Sequence, residues 1–267
     1  MSRRWFSVVA STALIALSSA LVLAAPQSGK PSYPQTKRVD HTDDYHGTAV
    51  ADPYRWLEDD ARKSKDVADW VKAENDVTFA YLNAIPERDV IKKRLTELWD
   101  YAKYQPPFKV GQRYFYLKNN GLQNQYVMYM TDSLADESKA TVLFDPNTWS
   151  KDGTVALAGT AFSDDGKYVA YAIAEAGSDW RTWKIRDIVL GADLPDEIKW
   201  TKFGGASWTL DNKGFFYGRF DAPPENAEAF HDVNKFQKLY FHRLGTPQSQ
   251  DVLVHHNPNE PDWSFGG

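Results

Sequence analysis

The sequence predicts a mainly β protein with an N-terminal helical segment, its β part built as about three blades of a β-propeller. Three observations carry that expectation. Aromatic residues are abundant, with 10 Trp, 14 Tyr and 14 Phe, which suits strands packed face to face. Apolar residues recur at helical spacing between about residues 54 and 100 and not beyond. Most telling, Phe162-Ser163-Asp164-Asp165-Gly166-Lys167-Tyr168-Val169-Ala170-Tyr171 aligns without gaps on Trp208-Thr209-Leu210-Asp211-Asn212-Lys213-Gly214-Phe215-Phe216-Tyr217, an offset of 46 residues. Periods of about 40 to 50 residues that combine an aromatic strand end, a polar tight turn and a second strand match propeller blades.

In chain order, Arg3 and Arg4 precede an apolar stretch from Trp5 to Leu23, then Ala24 and Ala25. Residues 1–25 therefore read as a secretory signal, with an uncleaved membrane anchor as the competing reading. Either way the domain is expected to be exported, periplasmic or secreted. Residues 26–32 read as a Pro- and Ser-containing linker. Residues 33–101 form the N-terminal helical segment. Trp70, Val71, Val77 and Tyr81 mark one helix, with Ser64 or Asp66 available as caps, and Val90, Ile91, Leu95 and Leu98 mark a second after Pro86. Pro106 and Pro107 end the helical texture, and residues 102–267 read as a partial propeller.

Within that part, Arg113 to Leu117 and Tyr126 to Met130 flank Asn119-Asn120-Gly121, residues suited to the positive φ angles of a hairpin. Further strands are expected at Tyr168 to Ile173, Phe215 to Phe220 and Leu239 to Leu244, and Gly111 to Tyr116 is a fainter copy of the repeated turn and second strand. A closed propeller takes about four blades or more. Three blades would leave open faces, so a missing C-terminal part is the expectation.

Composition narrows the function classes. A net charge of −5 with no long Lys/Arg run argues against nucleic acid. With no Cys there is neither a disulfide nor a thiol nucleophile. His41 and His46 lie among Asp40, Asp43 and Asp44, where surface hydrogen bonding is the expected role rather than metal binding. His255 and His256, adjacent on a strand, point to opposite faces. Asp164-Asp165-Gly166 reads as a turn, since it recurs as Asp211-Asn212. No metal and no cofactor is expected.

Asp44-Tyr45-His46-Gly47 followed by Asp52-Pro53-Tyr54-Arg55-Trp56-Leu57-Glu58 resembles the opening signature of the prolyl oligopeptidase family. The similarity continues in order through Gly121-Leu122-Gln123-Asn124-Gln125, Asp145-Pro146-Asn147, Asp152-Gly153-Thr154-Val155-Ala156-Leu157, Gly177-Ser178-Asp179-Trp180 and Pro261-Asp262-Trp263. The resemblance implies a seven-bladed propeller on an α/β-hydrolase domain, residues 33–101 belonging to that peptidase domain. It also implies a monomeric serine endopeptidase that hydrolyses short peptides on the C-terminal side of proline, with the propeller as a size filter.

No Gly-x-Ser-x-Gly elbow occurs, and in the family the whole triad lies C-terminally, so no catalytic residue is assigned and the chain alone is expected to be inactive. The substrate-binding residues implied are Phe203, lining the peptide pocket, and Asp179, near the substrate-binding Arg of the hydrolase domain. Without the resemblance, Phe203 reads as core and Asp179 as a solvated turn residue. The last stretch, Trp263-Ser264-Phe265-Gly266-Gly267, carries one residue more than the family pattern, and no role is transferred to Phe265. The alternative is a noncatalytic binding module, its open propeller edge paired to another chain.

Overall fold

A computed structural model describes residues 31–175, 177–222 and 234–267. The expected signal peptide, residues 1–25, and most of the expected linker lie outside these residues. The chain divides into two compact units, one up to Val90 and one from Ile91.

The first unit opens with a hairpin of β1 (Thr42–Tyr45) and β2 (Thr48–Ala51). Its two turn residues, His46 and Gly47, both take positive φ (59° and 88°), the requirement of a two-residue hairpin turn. Arg55 follows on a single 3₁₀ turn and gathers Asp43, Asp52 (3.1 Å) and Glu58 (2.7 Å). His41 bonds Asp43 at 3.1 Å, and with Arg55 it holds that carboxyl below its usual range. The acidic, histidine-bearing opening motif is thus a local knot around one guanidinium. Among the described residues no group of three His, Asp or Glu is placed to hold a metal.

Helix α1 (Lys65–Asn83) follows, with Val67 buried. Neither expected cap is used. Ser64 stands at the N-cap position without a side-chain bond, and Asp66 is drawn instead to Lys37 at 2.8 Å. A long-range ion pair has taken the carboxylate that local sequence offered to the helix end. Helix α2 (Arg88–Trp99), whose first turn holds the division between the units, carries the second stripe, and Val90, Ile91, Leu95 and Leu98 are all exposed.

The second unit contains three antiparallel sheets, the blades the repeat predicted. The first combines β3 (Lys103–Tyr104), β4 (Phe108–Val110), β5 (Arg113–Asn119), β6 (Val127–Thr131) and β7 (Thr141–Phe144). The second is a meander of β8 (Val155–Phe162), β9 (Tyr168–Glu175), β10 (Arg181–Asp187) and β11 (Ala192–Thr201). The third repeats it with β12 (Ala206–Trp208), β13 (Gly214–Arg219), β14 (Lys238–Arg243) and β15 (Val252–His255).

Strand β9 shows how the blades pack. Val169 and Tyr171 face a core shared with Phe115, Met128, Leu143 and Phe144 of the first sheet, while Ala170 and Ala172 face one shared with Phe215 and Tyr217 of the third. Both faces are buried, so the strand is apolar throughout rather than alternating. The small alanines leave room for Trp183, fully buried against Gly159.

The repeated turns are the same object twice. Ser163 Oγ donates to Asp165 (2.7 Å), which also accepts from Lys167 N–H (3.0 Å); Thr209 Oγ1 and Lys213 N–H bond Asp211 in the same way (2.7 and 3.2 Å). The left-handed position is Gly166 (φ 68°) in one copy and Asn212 (φ 56°) in the other. Gly166 needs its missing side chain twice over, because a Cβ there would stand 3.2 Å from the Val110 carbonyl of the neighbouring blade. Asn212 instead accepts a bond from Asp164 N–H at 3.0 Å.

The β5–β6 connection departs from expectation. Only Gly121 takes a positive φ (136°), and Asn119 ends the strand with its side chain accepting from Gly121 N–H and donating to Gln123 O. The amide side chain organises a longer loop in place of a two-residue turn.

Candidate functional site

The meander places tight turns at one end of the second and third sheets and the candidate residues at the other. Asp179 lies in the β9–β10 loop and Phe203 in the β11–β12 connection. Because Arg181 and Thr201 are cross-strand partners, these two segments leave their hairpin side by side.

Phe203 is not a core residue. It is 58% exposed, has φ 55°, and forms the rim of a cleft of about 330 Å³ lined also by Gly205, Phe216, Gly218, Gln237 and Phe265. Gln237 is buried, accepts a bond from Phe265 N–H at 2.6 Å, and sits where Gly218 leaves it room. Phe265, to which the sequence assigned nothing, therefore shares the cleft with Phe203. Asp179 is exposed and makes no hydrogen bond or ion pair among the described residues.

Between the two candidates lies a charged and aromatic cluster. Lys202 is buried, its Nζ 3.7 Å from the Trp180 ring centroid, 5.9 Å from that of Phe220 and 3.0 Å from Asn234 Oδ1. Trp180 meets Trp200 edge-on at 5.7 Å. Trp200, like Phe203, is left-handed (φ 63°), a conformation that costs a bulky L-residue about 1–2 kcal/mol. Burial of Lys202 could not be anticipated from residue type, since a lysine is ordinarily exposed.

A second cluster joins the blades. Tyr217 donates to Asp251 (2.5 Å), Asp251 holds His242 Nδ1 (2.7 Å), and Nε2 of the same ring reaches Asp196 on the preceding blade (2.8 Å). The side chains of Asp251, His242 and Asp196 are fully buried. Burial alone would depress the imidazole pKa, but the bonds and charges of the two carboxylates outweigh it and raise it to about 9. Burial and the bond to Asp251 likewise push the Tyr217 hydroxyl well above its usual range. A His–Asp contact of this kind could suggest a triad, yet both ring nitrogens are occupied and none is open to a nucleophile.

Sheets of this form and order define a β-propeller domain, here its opening blades. Residues 34–267 match the family model described as "Prolyl oligopeptidase, N-terminal beta-propeller domain", and the chain belongs to the prolyl oligopeptidase family. It is 44% identical over 244 residues to a prolyl endopeptidase of Elizabethkingia meningoseptica, covering 91% of this chain and 34% of the relative. It is 37% identical to prolyl oligopeptidase A of Galerina marginata, covering 88% and 35%. Among solved structures, prolyl oligopeptidase B from Galerina marginata bound to a 25mer macrocyclization substrate superposes with a TM-score of 0.73 at 31% identity, covering 87% of this chain and 35% of that one. The chain spans about a third of the length of the relatives it matches.

Proposed function

We propose that this chain is the N-terminal part of an exported serine endopeptidase that hydrolyses short peptides on the C-terminal side of proline. Its blades act as part of a size filter, Phe203 contacts the peptide, and Asp179 steadies an Arg of the hydrolase domain. Such a carboxylate holds a guanidinium in fixed, bidentate geometry and so orients the peptide carbonyl before proline. The observation that carries the reading is Phe203 itself: a large aromatic held exposed, at a backbone cost, on the rim of a cleft at the loop end of the blades. Export is read from the Arg3-Arg4 and apolar pattern of residues 1–25. The chain alone is inactive in this reading, because it holds no Gly-x-Ser-x-Gly elbow.

The test is to read the gene past Gly267 and assay the encoded product on a chromogenic peptide ending in proline. Further blades and a serine elbow are expected, and Phe203→Ala is expected to raise KM while leaving thermal stability nearly unchanged. A stop codon at that point ends the peptidase reading for this product. A stability loss with KM intact removes Phe203 from the peptide site.

A further inference from the structure

We propose that Lys202 is a positioning residue for Phe203, and that its contact with Trp180 locks the Phe203 turn and the Asp179 loop into a single rigid rim. The functional consequence rests on the reading of Phe203 as a peptide contact; the mechanical claim does not.

Two aromatic residues three positions apart, Trp200 and Phe203, both adopt left-handed backbone, and the two residues between them are buried. Strained conformations of that kind persist where the surroundings over-determine them. Here each buried residue is tied to the neighbouring loop. Thr201 Oγ1 donates to Arg181 O at 2.8 Å, and the Lys202 ammonium lies over the Trp180 ring at 3.7 Å. Arg181 Nη1 returns a bond to Gly204 O at 3.3 Å, while Phe220 N–H holds Trp200 O at 2.9 Å.

Left-handed turns on either side rotate residues 201 and 202 inward and Phe203 outward. The flanking Gly204 and Gly205 supply no side chain to hold the turn, so Lys202 anchors it alongside the Thr201 and Arg181 bonds. An ammonium removed from water requires compensating partners; Asn234 Oδ1 at 3.0 Å is one, and the indole face is another, strengthened by desolvation. Trp180 is the next residue after Asp179, so the same contact that fixes Phe203 fixes the base of the carboxylate loop.

The test uses the 267-residue chain and the variants Lys202→Met, Phe203→Ala and the two combined, read by amide hydrogen exchange and by titration with acetyl-Ala-Gly-Pro-Phe-amide. Lys202→Met keeps the length of the side chain and removes its charge. It is expected to speed exchange of the amide that closes the turn, Phe220 N–H on Trp200 O, by about tenfold or more, with β9 amides unchanged, the pattern of local rather than global opening. Unchanged exchange of that amide overturns the proposal, and so does loss of protection throughout β8–β11, which would make Lys202 a residue of the fold. Lys202→Met is also expected to weaken peptide binding when Phe203 is present and to add nothing in the Phe203→Ala background; equal weakening in both overturns the proposal. If Phe203→Ala leaves peptide affinity unchanged, the peptide-contact reading falls, and the exchange of the Phe220 amide still decides whether Lys202 sets its position.

Discussion

The two junctions between blades use one design with different chemistry. Arg186 on β10 pairs across from Val169, and His242 on β14 pairs across from Phe215, the residue 46 positions later, so the two cations occupy equivalent places. Each is held by an aspartate, Asp193 or Asp251, that also accepts from the repeat's tyrosine, Tyr171 or Tyr217. Each then reaches back to the preceding blade. Arg186 finds the Leu143 carbonyl at 2.8 Å and lies over the Phe144 ring, whereas His242 finds a second carboxylate, Asp196, aimed inward where β11 slips register near Pro195. The first junction carries a permanent charge at a partly exposed site, with Asp193 36% exposed. The second carries a titratable charge fully buried between two acids. The teaching is that a repeated architecture of bonds can be permanent at one seam and conditional at the next.

The largest effect should come from removing one cation at a time. His242→Ala leaves two buried carboxylates facing each other and is expected to cost about 3–5 kcal/mol in urea unfolding. Arg186→Ala, whose aspartate can reach water, should cost about 1–2 kcal/mol. Equal losses would erase the distinction between the seams. Next comes pH. The His242 imidazole has a pKa near 6.5 when unfolded and about 9 when folded, so its contribution is present in full below 6.5 and is lost as pH rises through 9. The unfolding free energy from urea titration is expected to drop over that window by on the order of 3 kcal/mol, and His242→Gln should flatten the profile; a wild-type value that holds constant would contradict a charged seam. Smallest is the hydroxyl contribution. Tyr217→Phe and Tyr171→Phe should each cost about 1 kcal/mol by thermal unfolding, with Tyr217 the costlier because Asp251 is the more deeply buried acceptor, and the reverse order would show that burial does not set the hierarchy.

Much of the blade was legible because its determinants are local. The pair of ten-residue segments beginning at Phe162 and Trp208 encodes strand, turn and strand through residues that bond within a few positions, as the Asp165 and Asp211 turns show. Contacts made at a distance were not legible. His242 draws its partners from Asp251 and Asp196, on two other strands, and no spacing rule joins them. Asp66 reads as a cap until Lys37 competes for it. At the site, the ordered motifs drew attention to Asp179 and Phe203, but a lysine is ordinarily a surface residue. That Lys202 is buried on an indole face depends on three chain segments meeting there. Phe265 was passed over because its motif is one residue out of step, a shift that the cleft absorbs.

The close approach of the Gly111 and Gly166 turns limits what can stand between the first two blades. A Cβ on Gly111 would stand 3.0 Å from the Asp165 carbonyl, and one on Gly166 would stand 3.2 Å from that of Val110. At these two positions a side chain is not accommodated unless the two turns move apart. At the opposite end a Cβ on Gly205, beside Phe203, would meet nothing within 4 Å, so that loop has room for a side chain where the turn end has none.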